Sequence, residues 1–237
     1  MIEVYGVDIS EKVTGSEWNL LLGCVSEERR KKAGRFYHFE DAERTVIGEI
    51  LIRWLYRNKV GHCMPACGYL LGKYGKPSLA DNKYSFNVSH TGDYVIACLA
   101  DSQVGIDVEK NKRIDLDIGK QYFAKDEYNS ILLQPPELRS KRLLEFWTLK
   151  ESYLKYLGYG LVMELSSFCV SYDGDKASLT SGEKKADFGK LNFANKNYVG
   201  FVCTEEGKIQ ENVQVKMISI HELIKDINSN LEDKKQR

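Results

Sequence analysis

Proline is scarce in this chain, with four in 237 residues and two of them adjacent at Pro135 and Pro136. No proline-rich linker is therefore expected. There is no run of 18 apolar residues, so no helical membrane span is expected either. Neither sign of charge is in excess, because 34 Lys+Arg balance 34 Asp+Glu. Proteins that coat nucleic acid or acidic membranes carry a clear basic excess. The balance here argues against both partners and implies that any anion is held at a local patch. Met1-Ile2-Glu3-Val4-Tyr5-Gly6-Val7-Asp8 places two acids where a secretion signal needs a basic and then an apolar stretch. Without such a signal, the six cysteines do not imply disulfides, and a reducing, cytoplasmic compartment is expected. His62-Cys63-x-x-x-Cys67 lacks the second ligand pair of a structural zinc site and reads as a loop with two thiols. Cys98 and Cys203 sit in apolar runs and read as small buried hydrophobes. No Gly-x-x-x-x-Gly-Lys-Ser/Thr phosphate loop occurs.

What is present is ordinary globular usage, 43% hydrophobic and 29% charged. The length suits one large domain or two small halves. Alternation predicts a strand over Ile2–Ile9. Ser26-Glu27-Glu28 opens a helix rich in Arg29, Arg30, Lys31, Lys32 and Arg35. Asp41 is expected to cap a longer helix with Val46, Ile50, Leu51, Trp54 and Leu55 on its apolar stripe, stopping near Gly61. Gly72–Pro77 reads as a loop. Phe86–Val88 and Tyr94–Leu99 read as strands joined by a turn at Ser89-His90-Thr91-Gly92-Asp93. Val104–Glu109 follows as a strand, then helices around 116–123, 125–133 and 137–157, the last capped by Gly158. Strands are expected at 168–172, 198–204 and 213–220, and a charged helix at 221–235. The two runs of strand, helices and strands divide near 102, giving halves 1–102 and 103–237. Because strands and helices are partly segregated, the expected class is α+β.

Four short segments carry chemistry. On the strand Gly105-Ile106-Asp107-Val108-Glu109, Asp107 and Glu109 share a face about 7 Å apart. Two such carboxylates repel unless a cation joins them, and a hard divalent ion with oxygen ligands answers that need. An acidic solvent face neutralised by Lys110 and Lys112 is the alternative. On the helix Phe146 to Lys155, residues Trp147, Glu151 and Lys155 share one face at i, i+4 and i+8. Glu151 and Lys155 read either as a surface ion pair or as a third carboxylate beside a phosphate-binding lysine. Asn87-Val88-Ser89-His90-Thr91-Gly92 reads as plain turn chemistry or as a small anion cradle. Ser89 and His90 do not read as a nucleophile pair, since neighbours on an extended chain point to opposite faces. In Tyr74-Gly75-Lys76-Pro77, glycine admits close backbone approach and proline stiffens the loop that carries Lys76.

Together and in this order, Gly75-Lys76-Pro77, Phe86-Asn87-Val88-Ser89-His90, Gly105-x-Asp107-x-Glu109 and Trp147 through Lys155 resemble the 4′-phosphopantetheinyl transferases of the Sfp type. The likeness extends upstream through Arg35–His38 and Asp41–Thr45 and downstream to Gly158–Leu161. It implies a pseudo-dimeric α+β fold of two halves, each a small sheet packed with helices, with the active site in the cleft between them. It further implies transfer of phosphopantetheine from coenzyme A to a serine of an apo acyl, peptidyl or aryl carrier protein, with release of adenosine 3′,5′-bisphosphate. By the same resemblance, Asp107, Glu109 and Glu151 hold Mg²⁺. Glu151, or a metal-bound water oriented by Glu127, accepts the serine proton. Lys155 serves the leaving phosphate with help from Lys150. Arg29 and Lys32 meet the 3′-phosphate of coenzyme A, and Thr45, Lys76, Ser89 and His90 supply the remaining contacts. A monomer is implied. A Mg²⁺-dependent phosphohydrolase or nuclease, or a non-catalytic binder of carrier proteins, is the alternative. Balanced charge speaks against the nuclease, and the presence of all three carboxylates speaks against the binder.

Overall fold

A computed structural model of the chain describes residues 1–64, 69–174, 176–209 and 212–235. In chain order the elements are β1 (Ile2–Asp8), α1 (Gly15–Cys24), α2 (Glu27–Ala33), α3 (Phe39–Val60), β2 (Tyr69–Leu71), β3 (Pro77–Leu79), β4 (Ser85–Thr91), β5 (Tyr94–Ala100) and β6 (Val104–Lys110). Then come α4 (Asp117–Tyr122), α5 (Lys125–Leu132), α6 (Pro136–Leu157), two short 3-10 turns, β7 (Cys169–Asp173), β8 (Lys176–Ser181), β9 (Asp187–Asn192), β10 (Tyr198–Thr204), β11 (Asn212–Gln214), β12 (Lys216–Ser219) and α7 (Ile220–Lys235).

The α+β expectation holds. One sheet has the order β12-β1-β5-β4 and a second the order β6-β10-β9-β8-β7, with β11 beside β9. β5 and β10 are buried along their whole length and read as near-continuous apolar runs for that reason. The 22-residue helix α3 covers the first sheet through Val46, Ile47, Ile50 and Leu51, and the 22-residue α6 covers the second through Phe146, Leu149 and Tyr153. A third apolar layer lies between the sheets, where Val4, Ile96 and Cys98 meet Ile106, Val108 and Val202. Cys98 and Cys203 are buried, as expected of small hydrophobes. Cys67 of the two-thiol loop lies outside the described residues. No helix among the described residues is long and apolar enough to cross a membrane.

Several expectations change. β12 pairs with β1 in parallel, and α7 places Ile220, Leu223, Ile224 and Ile227 in the first core. The segment 103–237 therefore does not stay together as a second half, because its last strand and helix complete the first. Asp41 does not cap α3. The helix begins already at Phe39, behind His38, which makes no side-chain cap, and Asp41 instead pairs with Arg44 at 3.0 Å. The segment 72–77 is not all loop: β2 and β3 pair around it, and Pro77 starts a strand. Two strands are added between the expected ones: β9, half-buried inside the second sheet, and β8, exposed at most positions. Strand β4 runs on through Ser89, His90 and Thr91, so the turn to β5 is only Gly92-Asp93.

Candidate functional site

Three elements meet at the seam between the sheets. β4 is the edge of the first sheet, β6 the edge of the second, and α6 crosses β6 closely. The crossing depends on Gly105, where a Cβ would stand 2.2 Å from both the Ser152 carbonyl oxygen and the Tyr156 nitrogen. Without that glycine the last two turns of α6 could not lie against β6, and Lys155 could not reach it.

Lys155 Nζ donates to Asp107 Oδ1 at 2.7 Å and to Ser89 Oγ at 3.2 Å. Ser89 Oγ donates to the same Asp107 oxygen at 2.9 Å. The other oxygen, Asp107 Oδ2, is buried without a hydrogen-bond partner. Glu109 receives a hydrogen bond from Thr91 Oγ1 at 3.0 Å, yet its carboxyl is pushed above the usual carboxylate range, first by burial and then by the negative charge of Asp107. Burial, followed by Asp107, also raises Glu151, against the pull of Lys155. The three acids thus feel one another across the seam. Among the described residues, however, no three acids, histidines or cysteines close into a ready metal cage. As the side chains stand, the cation on Asp107 is the Lys155 ammonium. The donor set still suits a hard ion: carboxylate oxygens from a strand and a helix, one of them buried and unpartnered.

A cationic cavity opens beside this cluster. About 230 Å³ is lined by Arg29, Lys32, Arg44, Thr45 and His90. A second space of about 360 Å³ shares Arg29 and Lys32 and reaches Gly75 and Pro77. Ser26 caps α2 by accepting from the Arg29 amide at 3.2 Å, as expected. His90 faces this cavity while Ser89 faces Asp107, the divergence that an extended strand requires. Its imidazole is held below the usual range by desolvation first and then by Arg44 and Lys155. Glu49, which the sequence reading passed over, is buried at the cavity wall and accepts from the Ser26 amide and hydroxyl, from Arg29 Nε and from Arg53. Burial pushes its carboxyl upward, but these donors win and hold it below the usual range. A third space, about 460 Å³, lies against Glu151, walled by Trp147, Tyr122, Leu154 and Met163.

The expectations for Lys150, Glu127 and Lys76 fail on geometry. Lys150 is fully buried and donates to both Glu127 oxygens, at 2.6 and 2.8 Å, and to the Phe168 carbonyl at 2.7 Å. Glu127 also accepts from the amides of Ala124 and Val170. The pair is closed inside the second core, so Glu127 has no free oxygen for a water and Lys150 no free proton for a phosphate. Lys76 donates to the carbonyls of Val104 at 2.8 Å and Tyr156 at 3.2 Å, and burial lowers its ammonium to about 8. It braces the β2–β3 hairpin against β6 and α6 rather than pointing into the cationic cavity.

A basic cavity lined by His90, beside buried acids and a lysine gathered at the adjacent Ser89, suits an enzyme handling a phosphate-bearing substrate. Residues 103–204 match the model of the 4′-phosphopantetheinyl transferase superfamily, and residues 12–102 that of the 4′-phosphopantetheinyl transferase N-terminal region. The 4′-phosphopantetheinyl transferase Sfp of Bacillus subtilis is 32% identical over 94% of this chain and 100% of its own length. The psf-1 transferase of Bacillus pumilus is 35% identical over 81% of this chain and 83% of its own length. The chain belongs to the Sfp-type 4′-phosphopantetheinyl transferases.

Proposed function

We propose that this transferase moves the 4′-phosphopantetheine group from coenzyme A to a serine hydroxyl of an apo acyl, peptidyl or aryl carrier protein and releases adenosine 3′,5′-bisphosphate. The observation that carries the reading is the junction of Lys155, Asp107 and Ser89, next in the chain to His90, which lines a cavity together with Arg29, Lys32 and Arg44. Arg29, Lys32, Thr45 and His90 line the space that suits a phosphorylated nucleotide, and charge-assisted contacts of this kind contribute about 1.5–3 kcal/mol each. Such contacts can localise a polyanion on a chain with no net charge.

Asp107, Glu109 and Glu151 are the residues that would hold Mg²⁺. When bound, the ion would withdraw charge from the pyrophosphate. Lys155, one helical turn beyond Glu151, is placed to steady the leaving phosphate once it turns from Asp107 to substrate. Glu151 faces the roomy space walled by Trp147 and Met163, where an incoming hydroxyl has access. It accepts the serine proton. Transfers of this kind depend chiefly on positioning and charge stabilisation, which suits a site shared between two packed halves.

Mass spectrometry tests the reading directly. Apo carrier proteins incubated with the enzyme, coenzyme A and Mg²⁺ should gain one phosphopantetheine each, and a chelator should stop the gain. Free phosphopantetheine with unmodified carrier would replace transfer by hydrolysis.

A further inference from the structure

A strand at the edge of a sheet leaves every second amide without a partner. β6 is such an edge, and its outward amides belong to Ile106, Val108 and Lys110. They are not met by another backbone. Ile106 N donates to Asn87 Oδ1 at 2.9 Å, Val108 N to Ser89 Oγ at 3.2 Å and Lys110 N to Thr91 Oγ1 at 3.2 Å. Donors at i, i+2 and i+4 on β6 are thus matched by acceptors at i, i+2 and i+4 on β4. The side chains of one sheet do for the other what a neighbouring strand would do.

Two of the three rungs go further. A hydroxyl that accepts an amide keeps one proton to give. Ser89 gives its proton to Asp107 and Thr91 gives its proton to Glu109, at 2.9 and 3.0 Å. Each hydroxyl therefore ties a carboxylate to the amide of the next residue and fixes one carboxylate oxygen. Asp107 keeps its second oxygen buried and unpartnered. Ser89 Oγ also accepts from Lys155, so its lone pairs and its proton are all engaged within the protein.

We propose that Asn87, Ser89 and Thr91 form a side-chain ladder through which the first sheet orients the acids of the second, with Thr91 the positioning residue for Glu109. Thr91 does not line the cavity assigned to the nucleotide. The inference rests on the reading of Asp107 and Glu109 as ion-holding groups. Partners that orient metal-binding side chains typically alter metal affinity by about 10–100-fold when removed.

The test uses Mn²⁺ alone as probe, titrated calorimetrically into the free enzyme, together with residue-resolved amide exchange. Thr91→Val should weaken Mn²⁺ binding about tenfold. It should raise the Mg²⁺ concentration for half-maximal transfer similarly and leave the KM for coenzyme A within twofold. Exchange should quicken at Lys110 while Ile106 keeps its protection. Thr91→Ser, which retains the hydroxyl, should restore all of these. If Thr91→Val does not fold, Thr91→Ala takes its place with the same expectations. Unchanged Mn²⁺ affinity in the hydroxyl-free variant, with Glu109→Gln weakened, overturns the ladder while leaving the ion-holding reading intact. Equal Mn²⁺ binding by Glu109→Gln and the unaltered enzyme overturns both.

Discussion

Asp107 has one oxygen clasped by Ser89 and Lys155 and the other bare, so replacing it removes both the clasp and the open donor. Asp107→Asn is expected to lower transfer at least about 100-fold with the circular dichroism spectrum retained. The Glu127–Lys150 pair belongs to stability instead. Lys150→Met should cost about 3–5 kcal/mol in denaturant unfolding, because it strands a buried carboxylate. Adding Glu127→Leu should recover most of that loss. Glu43 is buried, with Oε1 unpartnered, and its carboxyl is raised to about 7 by desolvation and then by Glu40. An acid with a raised folded value favours the native state when protonated. Stability should therefore fall as pH rises from the unfolded value near 4.5 through 7 and then level off. Because solvent screens part of the penalty, Glu43→Gln should be more stable than the unaltered protein by only ~1 kcal/mol at pH 8, and the difference should shrink toward pH 5. Sequence alone placed Asp107 and Glu109 on one strand face correctly. It could not separate Glu151, which faces the seam, from Lys150, which faces the core, because each is a charged residue on the same amphipathic helix.

At the scale of elements, the close crossing of α6 over β6 is the tightest constraint. Gly105→Ala forces a methyl into the α6 backbone, and the expected cost is about 3 kcal/mol or more, together with loss of transfer as Lys155 moves away from Asp107. Thermal unfolding and mass spectrometry of the carrier report the two effects. Lys76→Met should lower the melting temperature by several degrees through loss of the Val104 and Tyr156 contacts. The long helices, β5 and β10 were legible because apolar content and period agree with full burial. The outer strands were not. Lys176–Ser181 is exposed at most positions, and without burial its pattern carries little signal. The polar alternation Asn87, Ser89, Thr91 was visible in the sequence, but its meaning lay in a partner strand whose register no local rule supplies.

For the whole molecule, the two sheets and the layer between them set β4 of one against β6 of the other at the seam. Asp107, Glu109 and Glu151 all come from β6 and α6, while β4 of the first sheet supplies the Ser89 and Thr91 hydroxyls that hold two of them. α7 contributes four buried apolar residues to the core under α3, so Ile224→Ala is expected to cost about 2–5 kcal/mol in denaturant unfolding and to weaken the first sheet before the second. The return of the chain to the first half was not legible, since a short strand such as Lys216–Ser219 carries nothing that names its neighbour. That return also sets an order of events during synthesis. β1 is made well before its parallel neighbour β12, so the nascent polypeptide carries an uncovered β1 flank until Lys216–Ser219 has emerged. A product truncated before Lys216 would be left permanently in that sticky state, prone to clump with its own kind.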